Sequence, residues 1–376
     1  MKFRAGVFVV IVGLAALGCQ TNKGAADATA NLAPANEAPK PPPPRYPRPE
    51  HVRGVYMTAW IAGATKRRAE LLQMLADTEL NALVIDVRDD GDNYWETGIE
   101  LSKQAKATKL AVPKPDELMQ LLEDEGVYPI ARVSCFVDSR LTKHEPARAV
   151  QDASGKPWVE RNGRLWLDPY NKENWEYLGQ VVDFAVKTGF AEIQLDYVRF
   201  PGGGKKSSMV FPAKKDWPEG TTESQVIQQF AQFIKDRLPE GVVLSADIFG
   251  IVSSNTTKDQ GIGQDMDYFP QPFDLLCPMV YPSHYAKGEY GIANPATSPY
   301  EIVLVSMRDF KTKLHGKAMR PWLQDFDLGA QYGKDEVRAQ VKALKELGIQ
   351  EYLLWNARNV YTPDAVVDTS DLDPKP

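Results

Sequence analysis

Two aspartates lie at the ends of apolar segments that are typical of buried strands. In residues 194–201 the apolar run ends at Asp196, and a tyrosine, Arg199 and a strand-stopping proline follow. Residues 242–250 carry Asp247 to the end of a second apolar run, which stops at a glycine. Glycoside hydrolysis commonly uses two facing carboxyl groups. Because the carboxyl ends of the strands of a parallel barrel share one rim, this pattern predicts a glycosidase-type site.

The two aspartates suit different roles in that chemistry. Asp196 is short and readily ionised, as a nucleophile that attacks an anomeric carbon must be. Asp247 is flanked by apolar residues, and such surroundings raise the pKa of a carboxyl group, as a general acid requires. Structural roles remain open for both residues. Asp196 could pair with Arg199 to hold the loop, and Asp247 could cap a helix or brace a loop.

Further residues near predicted strand ends offer the aromatic faces and polar edges that pyranose rings need. An exposed indole is a stacking platform for a sugar, and polar side chains can hydrogen-bond sugar hydroxyls. Core packing or internal ion pairing is the alternative explanation for each residue taken alone. The candidate substrate-binding residues are Arg199, Asp86, Trp60, Tyr281, His284, Trp322, Asp325 and Trp355.

The elements that must position these residues alternate along the chain. Eight apolar segments with strand character are separated by segments with helical periodicity, and their near-continuous apolar character is typical of parallel strands. The alternation predicts an α/β fold, a (β/α)8 TIM barrel with loop insertions, and a doubly wound open sheet is the alternative. The predicted strands cover 54–60, 81–87 and 128–134, begin at 191 and 242, and cover 274–281, 319–323 and 351–355.

The amino terminus has the features of an export signal. Lys2 and Arg4 precede an uncharged apolar run over residues 5–17, which is too short for a comfortable membrane span. The run closes on Ala16-Leu17-Gly18-Cys19, which resembles the lipobox of bacterial lipoproteins and predicts lipidation of Cys19. An ordinary cleaved signal with an incidental cysteine is the alternative.

These features divide the chain into three parts. Residues 1–19 are predicted to be a lipoprotein signal peptide with its lipobox. Residues 20–50 are rich in proline and alanine and are predicted to form a disordered tether, and residues 51–376 form the barrel domain. The protein is therefore expected to be exported and attached to the bacterial envelope only through a lipid anchor, and Gln20 favours the outer membrane.

Charge and histidine content bear on partners and cofactors. The chain has 44 basic and 50 acidic residues and a formal charge of -6, so it lacks the basic footprint of a nucleic-acid-binding protein. A metal site would need histidines and acids at ligand spacing. Neither a metal nor another cofactor is expected, because the histidines are scattered: His51, His144, His284 and His315.

Five motifs in order along the chain resemble a known family. They are residues 53–56 (RGVY), 86–89 (DVRD), 194–201 (QLDYVRFP), 245–250 (SADIFG) and 279–282 (MVYP). The set is similar to the putative glycosyl hydrolase domain family over residues 53–361, and its nearer relatives are glycoside-hydrolase-like lipoproteins. The resemblance implies a (β/α)8 barrel distantly related to the alpha-amylase and alpha-galactosidase superfamilies.

The resemblance bears on the two aspartates and on the function. Retaining enzymes of those superfamilies carry a strand-four nucleophile where Asp196 lies. In the alpha-amylase pattern a glutamate follows strand five, whereas this chain has Asp247 at that place. The hypothesis is a retaining glycoside hydrolase that acts on an envelope or extracellular polysaccharide. A surface lipoprotein that holds a glycan without cutting it is the alternative.

Overall fold

The computed structural model describes residues 45–254 and 260–374. Eight parallel strands form a closed barrel, in which each strand pairs with the next and the last pairs with the first. This closure confirms the predicted (β/α)8 barrel and makes the open-sheet alternative wrong. The strands are β1 (Arg53–Met57), β2 (Ala82–Asp89), β3 (Tyr128–Ser134), β4 (Glu192–Asp196), β5 (Val243–Phe249), β6 (Leu275–Val280), β7 (Trp322–Gln324) and β8 (Tyr352–Trp355).

Helices cover the outside of the barrel and bury their apolar stripes against it. The helix Glu223–Lys235 begins at a capping box between Thr222 and Gln225, and its apolar stripe from Val226 to Ile234 is buried. The connection from β5 to β6 has only a 3-10 helix, Gly250–Ser253, among its described residues. The α-helices are α1 (Ala59–Gly63), α2 (Thr65–Ala76), α3 (Glu100–Gln104), α4 (Pro115–Asp124), α5 (Leu141–His144), α6 (Lys172–Thr188), α7 (Glu223–Lys235), α8 (Pro299–Lys313) and α9 (Lys334–Glu346).

The interior of the barrel contains a buried polar layer near the amino ends of the strands. The carboxylate of Glu192 accepts a hydrogen bond from Ser245 at 2.5 Å and one from Arg320 at 3.1 Å, and all three residues are fully buried. Arg320 also donates from its other terminal nitrogen to the same carboxylate. Glu192 and Arg320 therefore neutralise each other's charge inside the barrel, below the rim.

The predicted signal peptide, Cys19 and residues 20–44 of the predicted tether lie outside the described residues. Residues 45–50, which were also assigned to the tether, contact the barrel. Tyr46 is buried, and its hydroxyl donates to the carbonyl of Met119 at 2.5 Å. Arg48 pairs with Glu351 at 2.7 Å. Within 45–254 and 260–374, no helix combines the length and the apolar character needed to cross a membrane.

Candidate active site

Strands β4 and β5 bring the two predicted catalytic aspartates to the same rim. The strands pair with Leu195 opposite Ala246, so Asp196 and Asp247 follow at the same level. Because side chains alternate across a strand, both aspartates point away from the face that Leu195 and Ala246 occupy. Both line one cavity of about 510 Å³, a volume typical of ligand sites.

Asp196 is held by an arginine and by its own backbone. Its Oδ2 accepts hydrogen bonds from Nε and Nη2 of Arg132 at 3.0 and 2.6 Å, and its Oδ1 accepts one from the amide of Tyr197 at 2.7 Å. Hydrogen bonds from a guanidinium stabilise a carboxylate. Tyr197 has a φ of 49°, in the left-handed region that bulky residues rarely adopt. Strain of this kind is concentrated at functional sites.

Asp247 lies in a different environment although it is on the neighbouring strand. Its Oδ1 accepts hydrogen bonds from the amide of Gln194 at 2.6 Å and from the indole of Trp322 at 2.7 Å. Burial raises the pKa of Asp247 well above its ordinary value, and the charge of Asp196 raises it further. Arg132 and the two hydrogen bonds oppose this effect and are outweighed. The site can therefore hold a proton on Asp247 beside Asp196, which is paired with Arg132. General-acid catalysis requires such a protonated group next to a nucleophile.

Arg132, in the middle of β3, is a residue that sequence reasoning missed. Besides its two bonds to Asp196, it donates from Nη1 to Asp86 at 2.6 Å and to Asp89 at 3.3 Å. Arg132 is only 4% exposed. The available signal was an arginine within an otherwise apolar strand, because a buried cation needs acidic partners.

Arg199 does not make the contact that the sequence suggested. A pair with Asp196 was one of the alternatives that the sequence left open, but Arg132 binds that carboxylate. Arg199 instead donates from Nη1 to the carbonyl of Phe200 at 2.9 Å, and its guanidinium lies 4.6 Å from the ring centre of Trp166. It still lines the cavity, so a role in substrate binding remains open to it.

Four of the predicted aromatic and imidazole residues line the cavity: Tyr281, His284, Trp322 and Trp355. Trp355 is partly exposed and stacks on Tyr56 with ring centres 4.1 Å apart. Trp322 is only 1% exposed, so its main contact is the hydrogen bond to Asp247 rather than an open stacking face. His284 is exposed, and its Nδ1 lies 3.1 Å from the hydroxyl of Ser283.

Three predicted substrate-binding residues do not line the cavity. Trp60 lies in α1, is 56% exposed and meets Tyr94 edge-on. Asp325 is buried and accepts hydrogen bonds from the amide and hydroxyl of Thr362 at 2.8 and 2.7 Å, which brace the chain after β8. Asp86 is buried and is bound by Arg132, which lies between it and Asp196 in the hydrogen-bond network. It also accepts a hydrogen bond from the hydroxyl of Tyr56 at 2.5 Å. Burial raises the pKa of Asp86 to about 6.

Across 45–254 and 260–374, no group of three or more histidine, cysteine, aspartate or glutamate side chains is arranged to hold a metal ion.

Comparison with known proteins agrees with this architecture. A family model described as putative glycosyl hydrolase domain matches residues 54–361. The glycoside hydrolase domain of PgaB (BpsB) from Bordetella bronchiseptica is 14% identical, with a TM-score of 0.59 over 86% of this chain and 97% of that chain. TtGalA, an alpha-galactosidase from Thermus thermophilus, is 14% identical, with a TM-score of 0.51 over 86% of this chain and 61% of that chain. These two likenesses show the fold.

A third solved structure is closer in sequence over a shorter part of the chain. A hypothetical protein from Ruminiclostridium thermocellum ATCC 27405 is 35% identical over 52% of this chain and 97% of its own, with a TM-score of 0.47. None of the curated proteins compared with this chain matches it in sequence.

The closed barrel and the two carboxyl groups at its rim define a (β/α)8 protein of the glycosidase class. The chain belongs to the putative glycosyl hydrolase domain family, whose model matches most of its length. This confirms the family that the five sequence motifs indicated.

Proposed function

We propose that this protein hydrolyses glycosidic bonds of a polysaccharide by a retaining mechanism, with Asp196 as nucleophile and Asp247 as general acid. One observation carries the proposal: two carboxyl groups at the same level of adjacent strands line one cavity, one bound by a guanidinium and the other by neutral donors. Adjacent strands lie about 4.8 Å apart. That spacing suits the short carboxyl separation, about 5 to 5.5 Å, of retaining enzymes.

The hydrogen bonds suggest how the reaction proceeds. Oδ1 of Asp196, which Arg132 does not contact, attacks the anomeric carbon while Oδ2 stays paired with the guanidinium. The glycosidic C–O bond breaks as Asp247 transfers its proton to the leaving oxygen, so the leaving group departs as a neutral alcohol. Asp247, now a carboxylate, then removes a proton from water, whose oxygen attacks the anomeric carbon and releases Asp196.

The walls of the cavity suit a sugar ring. Tyr281, Trp355 and Phe249 provide aromatic faces next to the polar groups of the aspartates, a combination that pyranose rings require. We further propose that the polysaccharide belongs to the envelope or the extracellular matrix. The predicted export signal and lipid attachment at Cys19 support this location.

Reducing-end release tests the proposed function. The purified full chain is incubated with a panel of envelope and extracellular polysaccharides. We expect cleavage of at least one, and no cleavage of it by the variant Asp196→Asn. Asp183→Asn is the matched control, because Asp183 pairs with Arg237 at 2.5 Å on the outer face of α6.

Two further results decide between this function and its alternatives. Proton NMR of the first product is expected to show the anomeric configuration of the substrate, whereas the opposite configuration would indicate inversion. A polysaccharide that the wild type binds and never cleaves would favour the glycan-binding lipoprotein.

A further inference from the structure

Two guanidinium groups on one wall of the cavity have no carboxylate partner among the described residues. Arg199 and Arg164 both line the cavity. Arg199 is 6% exposed, and only Nη1 makes a hydrogen bond within the described chain, to the carbonyl of Phe200 at 2.9 Å. Arg164 is partly buried, and within the same residues its side chain makes only a ring contact. Most of the N–H donors of this wall are therefore unused.

Aromatic rings hold the two cations in place without neutralising them. The guanidinium carbons of Arg164 and Arg199 lie 4.9 and 5.5 Å from the ring centre of Tyr197. Arg199 also lies 4.6 Å from the ring centre of Trp166 and 4.8 Å from that of Phe249. Cation–π contacts fix the planes of the groups and leave their N–H edges available.

The acidic groups that the structure describes near this wall are engaged elsewhere. Asp90 acts on Arg164 only as a more distant charge, and its Oδ1 accepts a hydrogen bond from the hydroxyl of Ser139 at 2.8 Å. Asp196 is occupied by Arg132. Glu160 is buried, and its Oε1 accepts a hydrogen bond from the amide of Gly203 at 3.0 Å. It acts on Arg199 only as a more distant charge, and burial lowers the pKa of Arg199. The wall is thus locally positive although the chain carries a formal charge of -6.

A buried cation without an anionic partner is unfavourable for folding. A guanidinium edge matches a carboxylate, a sulfate or a phosphate with two parallel hydrogen bonds. An anion brought by a ligand would supply the partner that the described residues do not provide.

We propose that Arg199 and Arg164 form a subsite for an anionic substituent of the glycan, so that the substrate is an acidic polysaccharide. This inference rests on the proposed function for the identity of the ligand as a glycan. The substituent is the carboxylate of a uronic acid or a sulfate or phosphate ester, and all of these offer two oxygens to the guanidinium edge.

Binding to matched pairs of glycans tests the subsite. The pairs are polygalacturonate and its methyl ester, a sulfated galactan and its desulfated form, and a phosphorylated mannan and its dephosphorylated form. Affinity for the purified full chain is measured by calorimetry at two salt concentrations. We expect the acidic member of one pair to bind at least about tenfold more tightly than its neutral counterpart, with affinity falling as salt increases. The pair that responds identifies the substituent.

Variants assign the effect to these residues. Arg199→Gln is expected to remove most of the preference for the acidic glycan, and Arg164→Gln part of it. Arg199→Lys retains the charge without the planar edge and is expected to give an intermediate affinity. Arg161→Gln is the matched control, because Arg161 is exposed on the neighbouring loop and does not line this cavity. Circular dichroism melting tests whether each variant is folded. The salt dependence of binding by the wild type is a second test of the subsite, and it does not depend on the folding of any variant.

The outcomes separate this inference from the proposed function. Equal affinity for both members of every pair, no binding to any pair, or full retention of the preference in the double variant of Arg199 and Arg164 would overturn the inference. If cleavage depends on Asp196 and is equally fast for neutral and acidic glycans, the proposed hydrolase function is supported and the anionic subsite is refuted. Binding of an acidic glycan that depends on Arg199, without cleavage, would support the subsite and contradict the hydrolase.

Discussion

Replacement of Arg132 by methionine gives the most quantitative test of how the site is held together. The guanidinium makes four hydrogen bonds to three carboxylates, and both Asp86 and Asp196 are less than 8% exposed. Methionine has a similar length and fills the space without a charge. Two carboxylates would then remain buried with no cation in contact.

The expected loss of stability follows from this arrangement. Removing one partner of a buried ion pair costs about 3 to 5 kcal/mol, because the remaining charge is left unpaired. Two buried carboxylates lose their partner here, so we expect the upper part of that range at pH 7.5. At pH 5 the cost should be smaller by at least about 1 kcal/mol, because protonation relieves an unpaired carboxylate. Burial already raises the pKa of Asp86 to about 6 in the wild type.

Urea unfolding of the full chain at both pH values measures the free energies of unfolding. Arg132→Lys is the matched variant, since it keeps the charge but cannot contact both carboxylates at once, and we expect an intermediate loss. An Arg132→Met protein whose free energy of unfolding is within about 1 kcal/mol of that of the wild type, or that is equally destabilised at the two pH values, would refute the ion-pair account.

Three further predictions follow from the site and the amino terminus. Trp322→Phe removes a hydrogen bond that favours ionised Asp247, so the pKa of Asp247 should rise and the alkaline limb of the pH–rate profile should move to higher pH. Trp355→Phe should leave that limb in place. The raised pKa of Asp86 predicts stability that is present below pH 4 and lost as pH rises towards 6. Relative to Asp86→Asn, urea unfolding should therefore show the wild type losing about 2 kcal/mol between pH 4 and pH 6. Cys19→Ser should abolish incorporation of radiolabelled fatty acid and shift the protein from the membrane fraction to a soluble or uncleaved form. A wild type that never incorporates label would contradict the lipoprotein prediction.

Local patterns were sufficient to predict the barrel and the strand ends that carry the aspartates. Near-continuous apolar strands and helical periodicity are properties of neighbouring residues, so each element could be recognised by itself. Boundaries were less predictable. The first strand was predicted over 54–60 but ends at Met57, and this places Trp60 in α1 on the surface. Pro321 cannot donate a backbone hydrogen bond, and it separates β7 from the two-residue strand Ala318–Met319.

The partners within the site could not be predicted, because they depend on which strands become neighbours. Asp196 pairs with Arg132, 64 residues earlier in the chain, rather than with Arg199, three residues later. The closed barrel places β3 beside β4, and the nearer arginine in sequence points instead at aromatic rings. Asp325 likewise binds a threonine of the loop after β8, which no local motif indicated.

The roles of the two aspartates are tested most directly by comparing Asp196→Asn and Asp247→Asn on an aryl glycoside with a good leaving group. Such a leaving group needs little protonation, so Asp247→Asn should still form the glycosyl-enzyme intermediate, and added azide should accelerate turnover. Asp196→Asn should be inactive on every substrate, with or without azide. Equal activity of the two variants, or hydrolysis by Asp196→Asn at the rate of the wild type, would contradict the assignment of nucleophile and acid.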